Sequence, residues 1–167
     1  FELAIQWLID AGLAYKVQRV NAPRLPFKFY EDLNAFKLFM LDVGLMGAMA
    51  ETSAESMLVG DNVFSEYKGA FTELFVFTQL KSRHFSLYYH AVESSTIEID
   101  FLTQWHDRVI PIEVKAEVNV KAKSLHTFIN NNPELQGLRF SMLPYKKQDW
   151  VINVPLYACL VPFDYYR

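Results

Sequence analysis

IEIDFL (residues 97–102) and VIPIEVKA (residues 109–116) are the two stretches of this sequence that decide its fold. Each alternates apolar and polar residues, which is the pattern of a half-buried β-strand. The alternation predicts that Ile97, Ile99 and Phe101 share one face of the first strand, and that Glu113 and Lys115 share one face of the second. The six residues between the stretches are few enough for a hairpin, so we predict two antiparallel neighbours.

The register of this hairpin would bring acidic side chains together. If the turn is centred on residues 106 and 107, Asp100 lies opposite Glu113, and Glu98 lies opposite Lys115. The Cβ atoms of directly opposed residues are roughly 5 Å apart, so two carboxylates there repel each other. A divalent cation between them would remove that penalty. The alternative is an ordinary exposed strand, on which Glu98 and Lys115 form a cross-strand ion pair.

Composition restricts the class of protein. The chain has 167 residues, of which 51% are hydrophobic and 16% aromatic, enough for one domain with a core, or one domain with a small attachment. The formal net charge of −3 argues against a general basic coat for nucleic acid, although a local basic patch is compatible with it. The single Cys159 excludes an internal disulfide. The longest apolar run, 151–163, is too short to span a bilayer. We therefore expect a soluble, cytoplasmic protein without membrane association.

The N-terminal part of the chain predicts a small element in front of the main domain. A helix is expected over residues 2–11 and a strand over residues 13–20, followed by a turn-rich break. We interpret residues 1–27 as the tail of a winged-helix-like linker element, and residues 28–167 as the main domain. Because the chain starts at Phe1 and runs directly into a helix, we expect it to be a fragment of a longer protein.

The remaining elements follow from periodicity and capping residues. A strand is expected in the first part of the stretch 29–45, and Asp42 can cap a short helix over residues 43–50. Residues 51–61 are expected to form a loop, and Ser124 is expected to cap a later helix. Further strands are predicted over residues 85–90, 138–143 and 154–160.

The strongest helix signal covers residues 64–80 and carries an unusual carboxylate. Gly69, Ala70, Glu73, Phe77 and Leu80 lie on one side of this helix. A carboxylate on a small and apolar face is costly unless it is paired or binds a metal. The alternative is that Glu73 lies at the edge of this face and reaches water.

The order of these elements resembles the PD-(D/E)xK, or restriction-endonuclease-like, superfamily. In that pattern, an acidic residue of the first helix joins an Asp and a Glu-x-Lys from a central hairpin. Glu73, Asp100, Glu113 and Lys115 match these positions, whereas Ile99 stands where the pattern has proline. The resemblance implies an α/β (α+β) fold with a mixed central sheet flanked by helices.

The same resemblance implies a role for each matching residue. Asp100, Glu113 and Glu73 would hold Mg²⁺ or Mn²⁺, and Lys115 would orient the attacking water and stabilise the charge of the transition state. Glu98 would be an auxiliary group that pairs with Lys115. The expected reaction is metal-dependent hydrolysis of DNA phosphodiesters.

A narrower resemblance covers nearly the whole chain. The sequence is similar to the uncharacterised C-terminal domain that follows the ATPase domain in many bacterial and archaeal AAA-type ATPases. The blocks that carry this similarity are WLIDAGL (7–13), KLFMLDVGL (37–45), KGAFTELFV (68–76), LYY (87–89), EIDF (98–101), IEVKA (112–116) and KSL (123–125). Since none of the six glycines starts a Gly-x4-Gly-Lys-[Ser/Thr] loop, ATP would bind only in a covalently linked upstream ATPase domain.

Two functions remain open at this point. The first is a metal-dependent DNA endonuclease domain, which the complete set of matching residues favours. The second is a non-catalytic nuclease-like module that binds nucleic acid or a protein partner and regulates the ATPase. The acidic net charge favours the second.

Overall fold

In a computed structural model, the alternating stretches of the sequence form strands of one mixed sheet. The structure describes residues 1–52, 62–92, 97–117 and 122–165, without the side chains of residues 62–66, 164 and 165. The strands are β1 (Ala14–Val20), β2 (Glu31–Met40), β3 (Leu87–Ala91), β4 (Glu98–Trp105), β5 (Arg108–Lys115), β6 (Gly137–Ser141), β7 (Lys146–Lys147) and β8 (Val151–Pro155). The α-helices are α1 (Glu2–Asp10), α2 (Val43–Met49), α3 (Asn62–Ser82), α4 (Lys123–Asn131) and α5 (Val161–Tyr165). The predicted mixed α/β fold is confirmed.

The two stretches that decided the prediction lie at the centre of the sheet, as β4 and β5. The eight strands follow the order β2-β1-β3-β4-β5-β6-β8-β7. β3, β4 and β5 are antiparallel neighbours, whereas β5, β6 and β8 run parallel. β1 pairs with both β2 and β3, so the N-terminal helix-strand element contributes a strand to the same sheet. The domain boundary expected at residue 27 stays a prediction.

The register predicted for the central hairpin is confirmed. The β4–β5 pairs run from Trp105 opposite Arg108 to Phe101 opposite Ile112, which centres the turn on residues 106 and 107. His106 has a φ of 52°, in the left-handed region that tight two-residue hairpin turns use. Continued by one residue, this register places Asp100 beside Glu113.

A β-bulge interrupts the alternation predicted for β4. Two residues of β4, Asp100 and Phe101, lie opposite the single Tyr89 of β3. An extra residue in one strand reverses the face on which the following side chains lie. Ile99 therefore packs with Ile97 in one core cluster, while Phe101 packs in the other. The prediction that all three share a face was wrong, because alternation assumes an unbroken strand.

Two core clusters fix the helices on the sheet. One contains Phe77 of α3, whose ring stacks on Phe39 of β2 at a centroid distance of 4.3 Å. The other contains Leu125 of α4. Because Phe101 belongs to the first cluster and Leu102 to the second, the clusters lie on opposite faces of the sheet. The helices therefore flank the sheet on both sides.

The capping predictions have different outcomes. Asp42 caps α2, since its Oδ1 accepts a hydrogen bond of 2.8 Å from the Leu45 N–H. The prediction for Ser124 was wrong: α4 begins at Lys123, two residues earlier than a cap at Ser124 requires, with Ala122 at the cap position and no side-chain hydrogen bond there. β8 also lies earlier than predicted, because it ends at Pro155, which lacks an N–H for the ladder.

The predicted loop over residues 51–61 lies mostly outside the described residues, since 53–61 are not described. None of the helices in the described part of the chain combines the length and the apolar character that crossing a bilayer requires.

Candidate active site

Asp100 lies where the β4–β5 ladder ends. Its Oδ2 accepts a hydrogen bond of 2.7 Å from the backbone N–H of Val114 on the neighbouring strand. The last ladder pair of the two strands is Phe101 with Ile112, one residue away. The carboxylate therefore takes up a backbone donor that would otherwise belong to the ladder, and the bulge is what lets it turn toward β5.

Glu113 has a buried carboxylate, and only one of its two oxygens has a partner among the described residues. Its residue is 3% exposed, and its Oε1 lies 2.5 Å from Nζ of Lys115. Its Oε2 is buried and has no hydrogen-bond partner among the residues that the structure describes. A buried carboxylate oxygen without a partner is costly, so Oε2 is a ligand position that a cation would satisfy.

The charge of Glu113 acts on Asp100, as their neighbouring positions in the hairpin register predict. Burial raises the pKa of Asp100 to about 7, and the negative charges of Glu113 and Glu73 add to the rise. Burial also raises the pKa of Glu113, although the hydrogen bond and the charge of Lys115 oppose this. Burial and the neighbouring carboxylates therefore favour the protonated form of Asp100 in the metal-free protein.

Lys115 is held by a different partner from the one expected. Burial disfavours its ammonium, but the hydrogen bond to Glu113 and the surrounding carboxylates outweigh burial and raise the pKa of Lys115. Glu98 does not pair with Lys115, because the bulge in β4 shifts it out of the hairpin register. Its Oε1 lies 2.5 Å from Nζ of Lys37 instead.

Glu73 joins the cluster from α3, also through Lys37. Its Oε1 lies 3.1 Å from Nζ of Lys37, and its side chain is one-quarter exposed. Glu73 is therefore paired, as the first interpretation of this carboxylate expected, and it also reaches water, as the alternative expected. Its charge contributes to the raised pKa values of Asp100 and Glu113.

The structure brings two basic side chains to the site, Lys37 and Arg139, which the sequence pattern did not assign to it. Lys37 comes from β2, and the contact to Glu73 spans 36 residues of sequence. Arg139 of β6 lies opposite Glu113, is 7% exposed, and donates from Nε to Asn153 Oδ1 at 2.9 Å. The block KLFMLDVGL was the only signal for Lys37. From the sequence, Arg139 was only one of several basic residues that could contact phosphates, with a solvated face as the alternative.

The carboxylates of Asp100 and Glu113 could hold one hard divalent cation, although they do not form a complete set of metal ligands. Among the described residues, no group of three or more His, Cys, Asp and Glu side chains is arranged to hold a metal ion. Asp100 and Glu113 nevertheless offer two neighbouring carboxylates with a free oxygen. Mg²⁺ and Mn²⁺ take oxygen ligands, and Mg²⁺ keeps several waters, so two carboxylates are an adequate protein ligand set.

Asp100→Asn is expected to stabilise the metal-free protein at pH 8. Because the folded pKa of Asp100 is raised, the folded state binds more protons than the unfolded state between pH 4 and 7, so stability from this group is lost as pH rises through that window. Asparagine can still accept from Val114, and the gain should be on the order of 1 to 3 kcal/mol. Urea unfolding in chelator at pH 5 and pH 8 measures it. Equal destabilisation at both values would contradict the repulsion described here.

The fold and site define an α/β domain with a partly buried carboxylate-lysine cluster at the central strands of its sheet. The chain belongs to the family described as domain of unknown function DUF4143, whose model matches residues 68–158, more than half of the chain. Residues 1–56 match a second model, domain of unknown function DUF8612. No curated protein and no solved structure matches the chain. The first match includes Glu73, Asp100, Glu113 and Lys115, and the second includes Lys37.

Proposed function

We propose that this chain is a nuclease-like domain with a core of the PD-(D/E)xK type, which hydrolyses DNA phosphodiesters with Mg²⁺ or Mn²⁺. One observation carries the proposal: the partly buried carboxylate of Asp100 lies beside the buried carboxylate of Glu113, whose charge disfavours the charged form of Asp100, and Lys115 contacts Glu113. Structural ion pairs rarely leave a buried carboxylate oxygen such as Oε2 of Glu113 without a partner.

Each residue of the proposed site has a separate role in this reaction. Asp100 and Glu113 would hold the cation, and Glu73 would hold a nearby water or take part as a further ligand. When bound, Mg²⁺ supplies a Lewis acid that polarises the phosphate and lowers the pKa of a bound water. Lys115 donates hydrogen bonds to the attacking water and to the negatively charged oxygens that develop during the reaction. Glu98 acts as an auxiliary group through its ion pair with Lys37.

The proposal includes the setting of the domain. Domains of this family are commonly found with AAA ATPases. We therefore propose a covalently linked ATPase upstream, which binds ATP and acts together with this domain on DNA in the cytoplasm.

A second candidate is a non-catalytic module that binds nucleic acid or a protein partner and regulates the ATPase. Lys115 is paired with Glu113, and Lys37 is paired with two glutamates. These ion pairs neutralise lysine side chains that would otherwise bind DNA phosphates, which favours the second candidate. Nicking of supercoiled plasmid by the purified protein in Mg²⁺ or Mn²⁺, but not in EDTA, is the result that separates the enzyme from this module.

Titration calorimetry with Mn²⁺ tests the metal site itself. We expect weak binding to the wild type, and at least about a tenfold loss of affinity in Asp100→Asn, since even outer-shell changes at metal sites cost this much. Asp107→Asn is the matched control, because Asp107 is exposed in the turn of the same hairpin. Identical binding by the wild type and Asp100→Asn, or no binding at millimolar Mn²⁺, would count against the proposal.

A further inference from the structure

Lys37, which has no step in the proposed reaction, lies at the centre of the acidic cluster. Its Nζ is 2.5 Å from Glu98 Oε1 on β4 and 3.1 Å from Glu73 Oε1 on α3. The same atom lies 5.2 Å from the centre of the Tyr89 ring on β3. Two carboxylates from separate elements therefore converge on one ammonium group, as oxygen ligands converge on a hard metal ion.

The charge on Lys37 is permanent at neutral pH. Burial disfavours its ammonium, but the charges of Glu73 and Glu98 and their hydrogen bonds outweigh burial and raise the pKa of Lys37 above its ordinary value. The side chain is about one-quarter exposed, so the ion pairs are partly shielded from water. The ammonium group of Lys37 therefore lies between the carboxylates of Glu73 and Glu98.

We propose that the ammonium group of Lys37 takes the place of a second metal ion, so that the domain binds one divalent cation and not two. The inference rests on the proposed function only for the first cation, at Asp100 and Glu113. Without the ammonium, Glu73 and Glu98 would be two converging carboxylates with a combined charge of −2. Oxygen ligands with that charge are what a hard divalent cation prefers.

The number of bound Mn²⁺ ions tests this inference, because it can be measured without any activity. Free Mn²⁺ is followed by its electron paramagnetic resonance signal during titration of the folded protein. We expect one ion in the wild type, two in Lys37→Met, and one again when Glu98→Gln is added to Lys37→Met. Lys16→Met is the control: Lys16 lies on the neighbouring strand β1 over the ring of Phe36, and its loss should leave one ion.

Each outcome has a distinct meaning. Two ions in the wild type, or one ion in Lys37→Met, would overturn the inference while the proposed function stands. No ion in the wild type but one in Lys37→Met would support the replacement of a metal ion by the Lys37 ammonium, and would overturn the site at Asp100 and Glu113 and with it the count of one ion. No ion in either protein would overturn both. If circular dichroism shows that Lys37→Met is unfolded, Lys37→Gln, whose amide keeps a hydrogen-bond donor, is titrated in its place.

Discussion

Lys115→Ala is expected to slow DNA nicking by on the order of 10² to 10³, the usual effect of losing one contact that stabilises the transition state. The fold should be retained, because the Lys115 side chain is one-third exposed and its removal opens no apolar cavity. Metal binding should be retained as well, because an ammonium group has only hydrogen-bond donors and cannot be a ligand.

A nicking assay on supercoiled plasmid, run in Mg²⁺ and in Mn²⁺, measures this loss. Lys28→Ala is the control, since Lys28 is an exposed lysine in the 3₁₀ helix before β2, and this variant should nick DNA like the wild type. Glu113→Gln should differ from Lys115→Ala by losing Mn²⁺ affinity together with activity. Equal residual nicking by the wild type and Lys115→Ala would point to a contaminating nuclease, and the binding module would then be the better proposal.

Phe77→Ala is expected to lower the free energy of unfolding by about 3 to 5 kcal/mol, the range for deletion of a large buried aromatic side chain. Phe77 is fully buried and lies at the centre of an aromatic group formed with Tyr15, Phe39 and Phe101. The same contacts hold α3 on the sheet, and α3 carries Glu73. The variant should therefore also loosen the ion pair between Glu73 and Lys37.

Chemical unfolding in urea, followed by circular dichroism, measures the change. Tyr67→Ala on the same helix is the matched control: Tyr67 is 54% exposed, and its loss should stay within about 0.5 kcal/mol. A loss below about 1 kcal/mol in Phe77→Ala would show that α3 is not fixed by this aromatic group.

Local patterns in the sequence were sufficient for the central hairpin. Alternation identified β4 and β5, and the short connector set a symmetric turn, so the neighbouring positions of Asp100 and Glu113 could be predicted. The Asp42 cap was predictable for the same reason, since a cap depends on residues within one turn of the helix. These features are local, and hydrophobic periodicity and hydrogen-bonding capacity are enough to specify them.

The tertiary structure alone decided the partners of the lysines. Glu98 was expected opposite Lys115, but the bulge at Asp100 and Phe101 breaks the register. This bulge is defined by the pairing of β4 with β3, so no pattern within β4 alone could predict it. Lys37 reaches the cluster only because β2 and α3 pack together through Phe39 and Phe77. A contact between residues 36 positions apart depends on how whole elements pack, and a linear sequence pattern holds no record of that packing.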